Sequence, residues 1–111
     1  MLEEEAARAA AQPERESSWK YARDIVEGVD ARLDDIDETI GSHAQGWSLA
    51  RMPALDRAVA RLAAWEILYN DEVPDAVAIA EAVELASKLS TEESGGFLNG
   101  LLGAISRDHA V

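Results

Sequence analysis

Residues 73–102 contain two apolar segments with the spacing of α-helices, separated by only a short turn. Pro74 suits the first turn of a helix because its φ is fixed and it has no amide donor, and Asp75 adds a carboxylate where the helix dipole is positive. Ser90 and Glu93 stand three residues apart, as in a capping box, and predict the start of a second helix. The first segment predicts a mostly buried helix through its apolar residues at helical spacing: Ile79, Ala82, Val83, Ala86 and Leu89, with Val77 and Leu85 beside them.

The second helix is unusually rich in glycine. Its apolar stripe consists of Leu98, Leu101, Leu102 and Ile105. Gly95, Gly96, Gly100 and Gly103 lie within the same segment, and each costs a helix about 1 kcal/mol relative to alanine. Two explanations remain open. The glycines permit close packing against a neighbouring helix, or they leave a bare helix face that a ligand approaches beside Phe97.

Two further helices are predicted upstream, over residues 18–44 and 54–70. Met52 precedes Pro53, which disfavours helix at Met52 and separates the two segments. Their apolar residues recur every three or four positions: Ala22, Val26, Val29, Leu33, Ile36 and Ile40 in the first, and Leu55, Ala58, Val59, Leu62, Trp65 and Tyr69 in the second. The spacing in the first helix is also compatible with a coiled-coil homodimer.

No segment has the alternation typical of a β-strand. The sequence therefore predicts an all-α protein, a helical bundle of about five helices. Its 111 residues are enough for a single domain over residues 1–111. Residues 1–17 are dominated by alanine and charged side chains and predict a poorly packed N-terminal segment, and residues 106–111 predict a loose tail.

The net charge of −12, from 22 acidic and 10 basic residues, limits the possible partners. Proteins that neutralise nucleic-acid phosphates usually carry a basic patch, so composition alone argues against RNA binding. It favours a basic protein partner instead. The chain has no cysteine, no apolar run long enough for a membrane span and no basic signal-like start, which together predict a cytoplasmic protein.

Motifs for catalysis or for metal and cofactor binding were not found. His43 and His109 lack the spacing of metal ligands. The acidic run at residues 34–38 lacks an EF-hand loop and is interpreted as a solvated helix face. Glu66 lies near an apolar stripe, where we expect it to pair with Arg57 or Arg61 or to bond to backbone. The sequence thus predicts a protein that is not an enzyme and needs no cofactor.

The pattern VP-x-x-VAI-x-EAVELA-x-x-x-ST-x-x-S-x-x-F-x-NG-x-L over residues 73–102 resembles the NusB transcription antitermination factors. The resemblance extends upstream through WSL at residues 47–49 and LDRAVARLAAWEIL at residues 55–68. It implies a wholly helical fold with two small subbundles. It also implies a non-enzymatic adaptor that binds boxA RNA of ribosomal RNA transcripts, together with the ribosomal protein NusE and the transcribing RNA polymerase complex.

The resemblance also implies site residues. Phe97, in the matching F-x-N-G segment, and the turn before it would lie along the boxA RNA surface. A phenylalanine can stack on an unpaired base and an asparagine can bond to a base edge. The residues expected at the RNA are Leu89, Glu93, Gly96, Phe97 and Asn99. Asp56 matches an acidic position of the NusE surface, with Arg57 and Arg61 expected to orient it.

The chain departs from the family pattern in two places. Many NusB proteins carry a basic residue where this chain has Gly96, so a phosphate contact is expected to be absent there. Nothing in residues 1–20 matches the arginine-rich arm and first helix of the family, so the sequence predicts an N-terminally truncated bundle. Two alternative functions remain, the RNA-binding domain of an rRNA cytosine methyltransferase and a helical protein-interaction module without RNA binding.

Overall fold

The computed structural model describes residues 23–44 and 49–110, and every described residue lies in a helix, a turn or irregular structure. The prediction of an all-α protein is therefore confirmed. The chain divides into two compact units, Met1–Ala31 and Arg32–Val111. In the first unit the described residues 23–31 are helical. The predicted poorly packed segment over residues 1–17 lies outside the described residues.

The described part of the second unit contains four α-helices and a short 3₁₀ turn over Leu49–Arg51. The α-helices are α1 (Leu33–His43), α2 (Ala54–Tyr69), α3 (Asp75–Leu89) and α4 (Glu92–Ala110). The predicted continuous helix over residues 18–44 is wrong at Arg32, which has φ −120° and ψ 17° and separates α1 from the helical residues before it. Asp34 and Asp35 in the first turn favour a new helix start there because the helix dipole is positive at its N-terminus.

Helix α4 buries the leucine stripe predicted from its spacing, namely Leu98, Leu101, Leu102 and Ile105. Complete burial of one such side chain contributes about 1.5–3 kcal/mol, which offsets much of the glycine cost in this helix. The helix continues to Ala110, so residues 106–110, predicted as a loose tail, are helical. The Ser106 hydroxyl donates to the Asp75 carboxylate at 2.6 Å and fastens this end of α4 to the start of α3.

Helix α3 packs through alanines, which confirms Ala82 and Ala86 of the predicted apolar stripe and corrects its bulkier members Val77, Leu85 and Leu89. Ala78, Ala82 and Ala86 are buried, whereas Leu85 and Leu89 are 43% and 62% exposed. Helix α2 differs from its prediction in a similar way, because only one of its five buried apolar residues, Val59, was expected. The five are Val59, Ala60, Ala63, Ala64 and Ile67. Small side chains allow helices to approach closely, so size as well as hydrophobicity determines which face is buried.

Candidate nucleic-acid interface

The turn between α3 and α4 is held by a chain of hydroxyl groups. The Thr91 Oγ1 accepts a hydrogen bond from the Ser94 amide at 3.0 Å, so Thr91 caps α4 one residue later than the predicted Ser90. The Ser94 hydroxyl in turn donates to Asp56 Oδ2 on α2 at 2.6 Å. Asp56 is only 3% exposed. The start of α4, where the candidate site begins, is therefore attached to the first turn of α2 through a buried carboxylate.

The glycines of α4 divide between the two explanations that the sequence left open. At Gly95 an added Cβ would lie 2.1 Å from Ser87 Oγ and 3.3 Å from the Val83 carbonyl oxygen, so this glycine allows α3 and α4 to approach closely. At Gly96 and Gly100 no other group lies within 4 Å of the position a Cβ would take. These two glycines are exposed and form a bare helix face, as the second explanation requires.

Phe97 lies between these two glycines and is half-buried. It lines a groove of about 380 Å³ together with Gly96 and Gly100 on α4, His43 at the end of α1, and Arg107 near the end of α4. The groove thus combines an aromatic ring, exposed backbone and two basic side chains. An aromatic surface beside cationic groups is the arrangement with which proteins bind unpaired nucleotides.

His43 connects the end of α1 to α4. Its ring nitrogens face two acceptors, the Thr39 carbonyl oxygen at 2.7 Å from Nδ1 and the Asp108 carboxylate at 2.5 Å from Nε2. Only the charged imidazolium can donate from both nitrogens. The hydrogen bond to the Thr39 carbonyl, followed by the one to Asp108, raises the pKa of His43 above its ordinary value.

The other residues expected at the RNA lie in different places. Leu89, the last residue of α3, and Glu93, in the first turn of α4, are both exposed. Asn99 is exposed too, but it lines a separate groove of about 510 Å³ between α3 and α4, with Ile79 and Val83 among its neighbours. Residues two positions apart on a helix point in nearly opposite directions. The structure therefore brings Phe97 and Gly96 together but not Phe97 and Asn99.

The residues expected at the protein partner make intramolecular contacts. Asp56 lies in the interior rather than on the predicted partner surface. Arg57 donates to the Leu49 carbonyl oxygen at 3.0 Å. Arg61 binds both carboxylate oxygens of Asp37 at 2.8 Å each. Arg57 and Arg61 are half-buried, so each still presents part of its side chain at the surface.

Of the two alternatives expected for Glu66, pairing with Arg57 or Arg61 is wrong, because Arg57 donates to the Leu49 carbonyl oxygen and Arg61 binds Asp37. It lines a small cleft between α2 and α3 that also contains Glu81, with Leu62 and Leu85 partly exposed beside them. Burial of the carboxylate, and to a lesser extent the neighbouring Glu81 charge, raises the pKa of Glu66.

The described residues contain no group of three or more His, Asp or Glu side chains that could hold a metal ion. Among the helices of the described residues, none combines the length and the hydropathy that a membrane span requires. Sequence reasoning missed two residues of the groove, His43 and Arg107. No motif links them, since they are far apart in the chain and meet only through the packing of α1 against α4.

Comparisons with known proteins identify the family. The NusB family model matches residues 1–107. The transcription antitermination protein NusB of Leifsonia xyli subsp. xyli is 60% identical over 104 residues, which are 94% of this chain and 72% of that protein. The transcription antitermination protein NusB of Clavibacter michiganensis subsp. michiganensis is 55% identical over 103 residues, which are 93% of this chain and 75% of that protein.

Solved structures agree with the sequence comparison. T. maritima NusB superposes with a TM-score of 0.81 at 38% identity, over 86% of this chain and 68% of that one. A chain in a crystal structure of a plectonemic RNA supercoil gives a TM-score of 0.80 at 27% identity, over 86% of this chain and 69% of that one. The relatives are named as antitermination proteins, in agreement with the prediction that the chain is not an enzyme. Matching sequence over most of the chain and a shared helical fold show that this chain belongs to the NusB family.

Proposed function

We propose that the chain acts in transcription antitermination by binding boxA RNA of ribosomal RNA transcripts along the groove beside Phe97. The observation that carries the proposal is the half-buried Phe97 ring between Gly96 and Gly100, where no side chain fills the adjacent space. A base can stack on the ring while its sugar and phosphate approach the bare helix backbone. Stacking of this kind tolerates many sequences and contributes about 1–3 kcal/mol per base.

The relatives support a role in transcription, since they are named as transcription antitermination proteins. The structural neighbour from a crystal of an RNA supercoil is consistent with an RNA-associated fold. The exposed residues Leu89, at the end of α3, and Glu93, in the first turn of α4, would border the bound strand. Asn99, on another face of α4, would contact only RNA that passes around the helix. We place this activity in the cytoplasm, where bacterial transcripts are made.

The charge of −12 implies that RNA binding is weak unless a basic partner contributes phosphate contacts. We propose that the ribosomal protein NusE is this partner and that the pair acts with the transcribing RNA polymerase complex. Arg57 and Arg61, on the partly exposed face of α2, would border the NusE surface. Asp56 would act from the interior, through its hydrogen bond with Ser94.

Fluorescence anisotropy with a labelled boxA oligonucleotide, in the presence and absence of NusE, tests the proposal. Phe97→Leu keeps apolar bulk at the position but removes the aromatic ring, and it should weaken binding by about 5- to 150-fold, which corresponds to the loss of one stacked base. Tyr69→Ala, which removes a partly exposed ring on α2, is the matched control and should leave RNA binding unchanged. Equal affinities for the Phe97 variant and the unmodified chain would rule out a stacking role.

A second candidate function is a protein-interaction module that binds no RNA. It is favoured by the strongly acidic composition and by the partly exposed Leu62 and Leu85 beside two carboxylates in the α2–α3 cleft. The same titration separates the two functions. A chain that binds NusE but leaves the anisotropy of the labelled RNA at the value for NusE alone would fit the interaction module.

A further inference from the structure

Arg107 occupies the end of the Phe97 groove and lies on the same face of α4. Steps of three or four residues connect Phe97, Gly100, Ala104 and Arg107, so they follow one another along a single face, and all four line the groove. The Arg107 side chain runs back along the helix, since its Nη1 lies 3.4 Å from the position that a Cβ on Gly103 would take. The guanidinium therefore points toward Phe97 and away from the C-terminus of α4.

Arg107 is unusual among the described basic residues because it has neither an ion pair nor a hydrogen-bonded acceptor among the described residues. Arg23, Arg61 and Lys88 form ion pairs. Arg57 donates to a backbone carbonyl, and Arg32 lies over an aromatic ring. Arg51, in the 3₁₀ turn, shares the unpaired state of Arg107 but does not line the groove. Although the chain has 22 acidic residues, the guanidinium at the end of the groove that Phe97 lines is unpaired among the described residues and is available for an external anion.

The carboxylate nearest to Arg107 in sequence, that of Asp108, does not pair with it. Asp108 follows Arg107 directly but binds the His43 ring on α1. A cation in the last turn of a helix is favoured by the helix dipole alone, which explains a basic residue at this position. Side chains on a helix point back toward its N-terminus, so the Arg107 side chain extends over Gly103 and into the groove.

We infer that Arg107 is a phosphate-binding residue, which contacts the backbone of the RNA strand whose base lies against Phe97. The inference rests on the proposed function and adds to it the side of the groove on which the phosphate lies. Arginine suits the task because its planar guanidinium donates two parallel hydrogen bonds to phosphate oxygens.

The magnitude follows from counterion release. Each phosphate contact with single-stranded nucleic acid contributes about 0.7 to the slope of log affinity against log salt, which at about 0.15 M salt corresponds to about fourfold in affinity. Arg107→Gln should therefore weaken boxA binding about fourfold and reduce the slope by about 0.7. Arg107→Lys should retain most of the slope because the charge is kept.

The experiment is a salt titration of boxA affinity, measured by anisotropy with NusE present, for the unmodified chain and for Arg107→Gln, Arg107→Lys, Arg51→Gln and Phe97→Leu. Arg51→Gln removes the same charge away from the groove and should change neither affinity nor slope. If Arg107→Gln behaves like Arg51→Gln while Phe97→Leu weakens binding, the phosphate assignment is overturned and the proposed function stands. If neither Phe97→Leu nor Arg107→Gln has an effect, or if the unmodified chain does not bind, both fail.

Discussion

Alanine substitution should stabilise the chain at Gly100 but not at Gly95, although both glycines lie inside α4. Either change gains about 1 kcal/mol of helix propensity. At Gly100 nothing lies within 4 Å of the new Cβ, so Gly100→Ala should stabilise the chain by that amount. At Gly95 the new Cβ would lie 2.1 Å from Ser87 Oγ and 3.3 Å from the Val83 carbonyl oxygen. Overpacking of this kind costs about 1–3 kcal/mol.

The propensity gain is common to both variants, so the difference between their free energies of unfolding should be about 1–3 kcal/mol, the overpacking cost alone. Urea denaturation followed by far-UV circular dichroism measures this difference. Ser87→Ala removes the nearest hydroxyl and should reduce the cost of Gly95→Ala, whereas the Val83 carbonyl remains in place. Equal stabilities for Gly95→Ala and Gly100→Ala would refute the close approach of α3 and α4 at this residue.

Three further predictions concern buried and titrating groups. Ser94→Ala removes the hydroxyl that donates to Asp56 Oδ2. It should lower the free energy of unfolding by about 1–3 kcal/mol, because a buried acceptor loses its donor. The cost should shrink in an Asp56→Ala background, and additive effects in urea denaturation would contradict the contact. The pKa of His43 is raised in the folded state, so its contribution to stability should be fully present below the ordinary value of 6.5 and be lost as pH rises through the folded value. His43→Gln should remove that decline from a pH series of thermal midpoints, and an identical decline in the variant would contradict the prediction. The pKa of Glu66 is also raised, by burial first, so the folded state is penalised as pH rises above the ordinary value of 4.5. Glu66→Gln should therefore stabilise the chain at neutral pH but not below that value, and a gain of equal size at both pH values would point to packing instead.

The pattern of residues 73–102 was sufficient to predict two consecutive helices and the buried leucine stripe of α4. It predicted the buried face of α3 only in part, since Ala82 and Ala86 are buried as expected but Val77, Leu85 and Leu89 are exposed. The bulky residues of α3 have the same helical period as its alanines, and only the distance to the neighbouring helices selects the smaller side chains. The cap of α4 was predicted one residue too early for a similar reason. Ser90, Thr91 and Ser94 all have hydroxyls, and the contact of Ser94 with Asp56, which lies far away in the chain, is not visible in the local sequence.

In the candidate site, too, some features could be predicted from the sequence and others depend on packing. Phe97 and its glycines could be selected from the sequence, because a ring between two residues without side chains is a local feature. That Gly95 serves packing while Gly96 and Gly100 stay open depends on where α3 lies. The interior position of Asp56 likewise depends on the α3–α4 turn that covers it.

Helical periodicity and turn chemistry are properties of neighbouring residues, so the sequence by itself determined that the chain is helical, where most helices begin and which residues of α4 are buried. Contacts between distant residues depend on how whole helices pack, and only the tertiary structure decided them. It brought His43 on α1 and Arg107 on α4 to one groove beside Phe97, and it placed Asn99 on another face of the same helix. Short-range spacing specifies a face of a helix, but the partner of that face is set by packing across the bundle.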